Sequence, residues 1–398
     1  MTFLETNDSP IFLPRFMDGK IEDYQIPITH ALIDLSHIKW RPSILENISK
    51  MTTNLMVDPV THKAFFADSK EKENFKEIGY PQVEPEILYS EKTIRKEFIQ
   101  ISIQEQIKAG ASVLIAPYLF SPDTDDTKFS INLTLLSETI LYLEENKITL
   151  PLYAKLCLGL SVLSRLPVIN HIYSRYCDDY SDKIEGVIIG IDEFDARKME
   201  IQHLLGYANL VHLMGSRLKV ICAPIGNFGE ILIALSANAF GSSINIGEGF
   251  STKGLESGTG GNGNTHNRVY IPEIMGSLNY EQARNIEYKS ESAESKIDFS
   301  VGDPDSENKN KHYILSKIAE AKALQGKTRE EKIQYMLNRV ENAKKLLDSY
   351  IIKYAWKLDS QYLAQWSLVL KKALSWSDPS VDEEELEGLL KELDNSND

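Results

Sequence analysis

The sequence predicts an α/β protein: a (β/α)8 barrel of the TIM type, followed by a mainly helical C-terminal extension. Three observations lead there. Eight short apolar runs recur through the first 250 residues, and most are continuous rather than alternating, as parallel strands buried on both faces are. Helix-like patterns separate them, and this alternation of strand and helix marks a parallel α/β sheet. The chain of 398 residues is long enough for a barrel of about 250 residues with an appendage. Eight strands favour closure over an open doubly wound sheet.

In chain order the runs are "PIFLPRF" (10–16), "HALIDLSHI" (30–38), "TNLMVDP" (53–59), "SVLIAPYLF" (112–120), "LPLYAKLCLG" (150–159), "EGVIIGIDEFD" (185–195), "LKVICAPIG" (218–226) and "GSSINIGEG" (241–249). Helical patterns between them include 42–51, 94–110 and 228–241. After the seventh run, Gly226 and Gly229 permit a tight turn into a helix, which Asn227 can cap, unless it meets a ligand. Gly241 reads as the end of that helix and the entry to the eighth strand.

Beyond residue 250 the character changes. Residues 251–268 are rich in Gly, Asn and Thr and read as a loop, and 286–312 are polar and read as a mobile excursion. From Tyr313 to Trp376 apolar residues return at helical spacing. The expected organisation is therefore a catalytic barrel over 1–250, a Gly-rich and mobile polar segment over 251–312, and a helical region with an acidic tail over 313–398.

A net charge of −15 argues against a non-specific nucleic-acid binder. Nine acids against one lysine between Asp378 and Asp398 supply −8 of it, so the body is only mildly acidic and a local basic groove is compatible with it. No apolar stretch reaches the roughly 20 residues a bilayer span needs, and the first residues lack the pattern of a secretory signal. Three scattered cysteines, without C-x-x-C spacing, give neither a zinc site nor a disulfide framework. A cytoplasmic protein with no metal, no cofactor and no membrane contact is expected.

In such a fold the reactive groups stand at the C-terminal ends of the strands. Those ends carry Asp58, Tyr118, Lys155, the pair Asp192 and Glu193, Asn227, Asn245 and Glu248. Carboxylates with few histidines suggest acid/base or nucleophilic carboxylate chemistry, as in glycosidic bond cleavage. Each also has a plainer reading. Asp58 precedes a proline and could merely open a turn; Asp192 and Glu193 could cap or solvate a loop. Lys155 lies within an apolar strand, so it needs either a carboxylate partner or a site. Cys157 and Cys222 read as small core residues.

Ordered this way, the chain resembles the tRNA-guanine transglycosylase family, including its DNA-acting relatives. "SPIFLPRF" resembles the family's opening Thr-Pro-Val-Phe-Met-Pro strand, and "NLMVDP" falls where the family has its Asp-Ser-Gly-Gly-Phe acid/base motif, matching Asp58 to the Asp. "LPLYAKLCLGL" and "EGVIIGIDEFD" resemble the strands ending in Gln-Gly-Gly and Gly-Tyr-Ala-Ile-Gly-Gly, and 212–247 resembles the closing unit. The resemblance covers residues 9–250 and implies a barrel acting on an N-glycosidic bond. The family's nucleophilic Asp is absent at the end of the eighth run, where Asn245 and Glu248 stand instead; Cys157 replaces the guanine-reading Gln, and the zinc-binding cysteines are missing.

The resemblance therefore implies a nucleic-acid N-glycosidic bond enzyme, either a DNA glycosylase or a base-exchanging transglycosylase. DNA is a better partner than tRNA, with the target base flipped into the barrel mouth. Asp58 would be the reactive carboxylate, with Asp192 or Glu248 as its partner. Tyr118, Lys155, Glu193, Asn227 and Asn245 would bind substrate, and Lys253, His266 and Arg268, on the loop after strand eight, would contact phosphates. Two alternatives stand beside this reading: a barrel enzyme acting on a small soluble substrate, and a non-catalytic interaction module.

Overall fold

The computed structural model describes residues 11–16, 28–243, 250–256, 268–292, 295–300 and 302–376. All eight apolar runs contribute strands to one parallel sheet: β1 (Ile11–Phe16), β2 (His30–Asp34), β3 (Asn54–Asp58), β4 (Leu114–Ile115), β5 (Phe120–Ser121), β6 (Leu152–Leu158), β7 (Gly186–Ile191), β8 (Lys219–Cys222) and β9 (Ala239–Ser243). The strand order is β3-β2-β1-β9-β8-β7-β6-β4, with β5 also on β6. The fourth run is the one that splits in two.

Alternation along each strand divides the core. Leu13, Leu32, Met56, Ile115, Tyr153, Cys157, Ile188, Ile221 and Ala239 face inward and pack on one another. Their neighbours, such as Ile33, Val57, Leu114, Leu156, Ile189 and Val220, belong to the larger core beneath the helices. Both faces are buried, which is why the runs read as continuously apolar.

The expected closed barrel needs correction. The sheet is a curled, parallel half-barrel and not a closed eight-stranded barrel: β3 and β4 share one parallel bridge, Met56 with Val113, rather than a ladder. Around it the Ser112 amide donates to the Leu55 carbonyl at 2.9 Å, and the Ser112 hydroxyl accepts from the Leu55 amide at 2.9 Å. The physical reason lies in the next residue. The side-chain amide of Gln106, on the helix Lys92–Lys108, accepts from the Ile115 amide and donates to its carbonyl, both at 2.8 Å. A side chain thus occupies the backbone groups that a continued β3–β4 ladder would use. Pro117 follows and has no amide to offer.

The helices Ser43–Met51 and Lys92–Lys108 lie where periodicity places them. The helix expected over 228–241 is shorter, Phe228–Ala234, and Gly241 lies within β9 rather than ending the helix. Gly229 is needed for close packing: a Cβ there would sit 2.4 Å from the Phe240 ring.

Residues 286–312, read as mobile from their polarity, are ordered where described. Lys289–Ser292 (β12) and Ser295–Asp298 (β13) form an antiparallel hairpin, preceded by the hairpin of Arg268–Ile271 (β10) and Gly276–Asn279 (β11). Ile297 and Phe299 are buried, an alternating apolar signal hidden among charged neighbours. The helices Ser306–Ala323, Arg329–Tyr354 and Gln361–Ala373 pack back onto the sheet's helical layer. Trp366 Nε1 donates to the Ala196 carbonyl at 3.1 Å, and the Tyr313 hydroxyl donates to Ser242 Oγ at 2.9 Å.

A buried charge cluster fastens this region. Lys317 donates to Glu230 at 2.5 Å, to Glu320 at 2.9 Å and to the Tyr270 hydroxyl at 2.7 Å, while Arg339 bonds both carboxylates. Burial drives the Glu230 carboxyl up to about 7, opposed by Arg339 and Lys317. For Glu320 burial is outweighed by Lys317 and Arg339, which hold it at about 2. Two carboxylates sharing the same cations do not ionise alike; Glu320, which also accepts from Tyr270 at 2.9 Å, keeps the charge more firmly. No helix among the described residues is long and apolar enough to cross a membrane.

Candidate active site at the strand ends

Asp58 is the last residue of β3, in register with Asp34 at the end of β2, and is 1% exposed. Its surroundings are built by three segments distant in sequence. The turn after β3 brings the Val60 amide 2.9 Å from Oδ1. Val60 has φ 48°, left-handed backbone that a β-branched residue adopts only under constraint. The segment after β4 supplies the Tyr118 hydroxyl, which donates to the same oxygen at 2.8 Å. From β6 comes Lys155, on the inward face with Tyr153 and Cys157, whose Nζ donates to Asp58 Oδ2.

Tyr118 is held at both ends. Thr61 Oγ1 donates to its carbonyl at 2.7 Å and accepts from its amide at 2.8 Å. The Lys155 ammonium lies 4.7 Å from the centroid of its ring, a cation–π contact. Burial, and then the Asp58 carboxylate, push the Tyr118 phenol well above its ordinary value, so it remains a hydrogen-bond donor. His62 stacks on Tyr118 at 5.1 Å and meets Phe250 edge-on at 5.3 Å, and Phe120 lies 6.2 Å from Phe250. Asp58, Tyr118 and Lys155, three of the expected site residues, thus form one buried cluster capped by rings.

The other expected residues sit differently. Asp192 directly follows β7, but both its oxygens are engaged: Thr252 donates its amide to Oδ1 and its hydroxyl to Oδ2, each at 2.7 Å. Burial raises its carboxyl despite those bonds. Glu193, at φ 55°, donates its amide to the Phe250 carbonyl at 2.8 Å and pairs with Lys253 at 2.5 Å. Asp192, Glu193, Thr252 and Lys253 therefore pin the segment after β9 to the end of β7. Asn227 is buried and donates to the Met275 carbonyl at 3.0 Å, tying the turn after β8 to the β10–β11 hairpin. Arg268 opens β10, in register with Asn279. Asn245, Glu248 and His266 lie outside the described residues.

Sequence reasoning passed over Thr61 and Phe250. Thr61 carries no chemical signature; only the fold reveals that its hydroxyl positions Tyr118. Among the described residues, no group of three His, Cys, Asp or Glu side chains is placed to hold a metal ion.

The class the fold and site define is a curled parallel α/β protein with a buried carboxylate–ammonium–phenol cluster at its strand ends. No known protein-family model and no curated protein sequence matches the chain.

Proposed function

We propose that the chain is an enzyme acting on N-glycosidic bonds of nucleic acid, a DNA glycosylase or base-exchanging transglycosylase, with Asp58 as its reactive carboxylate. One observation carries the reading: Asp58, Tyr118 and Lys155 converge at the C-terminal ends of parallel strands, where such folds place chemistry. The Val60 amide, Tyr118 and Lys155 hold the Asp58 side chain in place, and a fixed carboxylate stabilises the oxocarbenium character that develops as a base departs. Lys155, which touches Asp58, would protonate the leaving base. A carboxyl group to activate water would be Glu248, or Asp192 if Thr252 releases it.

The test is incubation of the purified chain with normal and modified DNA, followed by a search for alkali-labile abasic sites. Tyr118→Phe and Asp58→Asn should lower base release by orders of magnitude. Near-normal release by Asp58→Asn would sink the assignment.

A second reading, a barrel-like enzyme on a small soluble substrate, is favoured by the charges around the strand ends. Lys63 pairs with Asp34, Arg165 with Asp123 and Lys253 with Glu193. Cations already neutralised attract a polyanion weakly. If Lys253→Gln and Arg268→Gln leave the salt dependence of DNA binding unchanged, this reading gains.

A further inference from the structure

Asp58 is closed off in this conformation. Asp58, Tyr118, Lys155 and Cys157 are all buried, although they stand at or near the strand ends, where a curled sheet opens. Among the described residues, the rings of Tyr118, His62, Phe120 and Phe250 lie over this cluster in one contiguous set. Three of the four stand on backbone tied directly to the sheet or to its first turns. Phe120 belongs to β5 and pairs with Cys157 of β6. Tyr118 is bonded by Thr61 at its amide and its carbonyl, and His62 sits in the short helix Thr61–Phe65 that follows β3. Phe250 is held differently.

It begins a strap, residues 250–256, fastened to the loop after β7. Phe250 makes a single parallel bridge with Asp192, and its carbonyl accepts from the Glu193 amide at 2.8 Å. Two residues on, Thr252 gives both its amide and its hydroxyl to the Asp192 carboxylate, each at 2.7 Å. Lys253 reaches Glu193 at 2.5 Å, but both side chains are exposed, and such a pair contributes little in water. Thr252 is buried, so its two bonds are shielded and form the main latch. The helix Thr252–Glu256 then lies against the helix Ala67–Lys70. Glu193 holds φ 55°, left-handed backbone that a residue other than glycine keeps only while its contacts enforce it. A latch of a few polar bonds on a strained residue opens at less cost than the sheet beneath it unfolds.

We infer that the strap is a gate: release of Thr252 from Asp192 lifts Phe250 off His62 and opens a path from the strand ends to Asp58, Lys155 and Cys157. The inference rests on reading the Asp58 cluster as the site, and it adds how that site is closed to water and to ligand. The same release frees both oxygens of Asp192. Opening the site and presenting a second carboxyl group are then one event. Cys157 reports that event, because it faces inward on β6, one alternation beyond Lys155 towards the strand end. Cys177 and Cys222 belong to the larger core beneath the helices and report loosening of the fold as a whole.

The experiment treats the full chain with N-ethylmaleimide under native conditions and follows the label at each cysteine by mass spectrometry. Thr252→Val keeps the side chain's shape and removes one hydroxyl donor to a carboxylate. It should speed labelling of Cys157 by roughly ten- to a hundredfold, with Cys177 and Cys222 unchanged. Phe250→Ala, which removes the ring and keeps the latch, should also speed labelling of Cys157 alone. Unchanged labelling of Cys157 in both variants would show that the strap does not cover the site. Equal acceleration at all three cysteines would show that the variants loosen the whole fold. Either result overturns the inference. Labelling needs no substrate, so a failure to release bases from DNA would count against the chemistry proposed for Asp58 and leave the gate standing.

Discussion

Breaking the Asp58–Lys155 pair from either side gives the sharpest test of the site. The side chains are 1% and 8% exposed, so neither charge can find water when its partner is removed. Stranding a buried charge in this way costs about 3–5 kcal/mol. Asp58→Asn leaves the Lys155 ammonium with the Tyr118 ring and no carboxylate, and belongs near the top of that range. Lys155→Met leaves Asp58 with two donors, the Tyr118 hydroxyl and the Val60 amide, and belongs near the bottom. The double variant strands nothing and should lose less than the sum of the singles by at least about 2 kcal/mol. The assay is urea unfolding of the four proteins at pH 7, with unchanged denaturant dependence as the check that the unfolded state is the same. Losses below about 1 kcal/mol for both singles, or strict additivity, would refute the reasoning. The cycle also guards the activity test: Asp58→Asn loses stability for a reason separate from chemistry. Tyr118→Phe, which removes one hydrogen bond to a charged group worth about 1.5–3 kcal/mol, is the milder probe.

Three further outcomes follow from the packing. Gly206→Ala would place its Cβ 1.7 Å from the Leu163 carbonyl oxygen, a backbone atom, so it should destabilise by more than the roughly 1–3 kcal/mol usual for overpacking; a neutral result in thermal unfolding would contradict the contact. Asn209 is 2% exposed, and neither atom of its amide has a hydrogen-bond partner among the described residues; Asn209→Leu should therefore raise stability by about 1–2 kcal/mol, and a loss in urea unfolding would show that the amide is satisfied by something bound. Glu320 is held at about 2 in the fold against an ordinary 4.5, so its contribution is full above 4.5 and fades as pH falls towards 2. Over that window the wild type should lose more stability than Glu320→Gln, and parallel acid-stability curves would exclude the effect.

The sequence alone determined the layered α/β class and the eight strand-forming runs, because a strand buried on both faces must be apolar at consecutive positions. It also marked Asp58, Tyr118 and Lys155 individually, as polar groups where apolar strands end or, for Lys155, within one. Only tertiary structure decided what each became. Asp58 and Asp192 look alike locally, each closing an apolar strand. One meets an ammonium 97 residues away and a phenol 60 residues away, whereas the other meets a threonine that ties down a neighbouring segment. The seam between β3 and β4 was equally beyond reach, because it depends on the side chain of Gln106 meeting the backbone of Ile115. Burial periodicity is local and repeats along the chain, so sequence displays it. Pairing of charges across a curled sheet depends on which strands become neighbours, and no single segment carries that information.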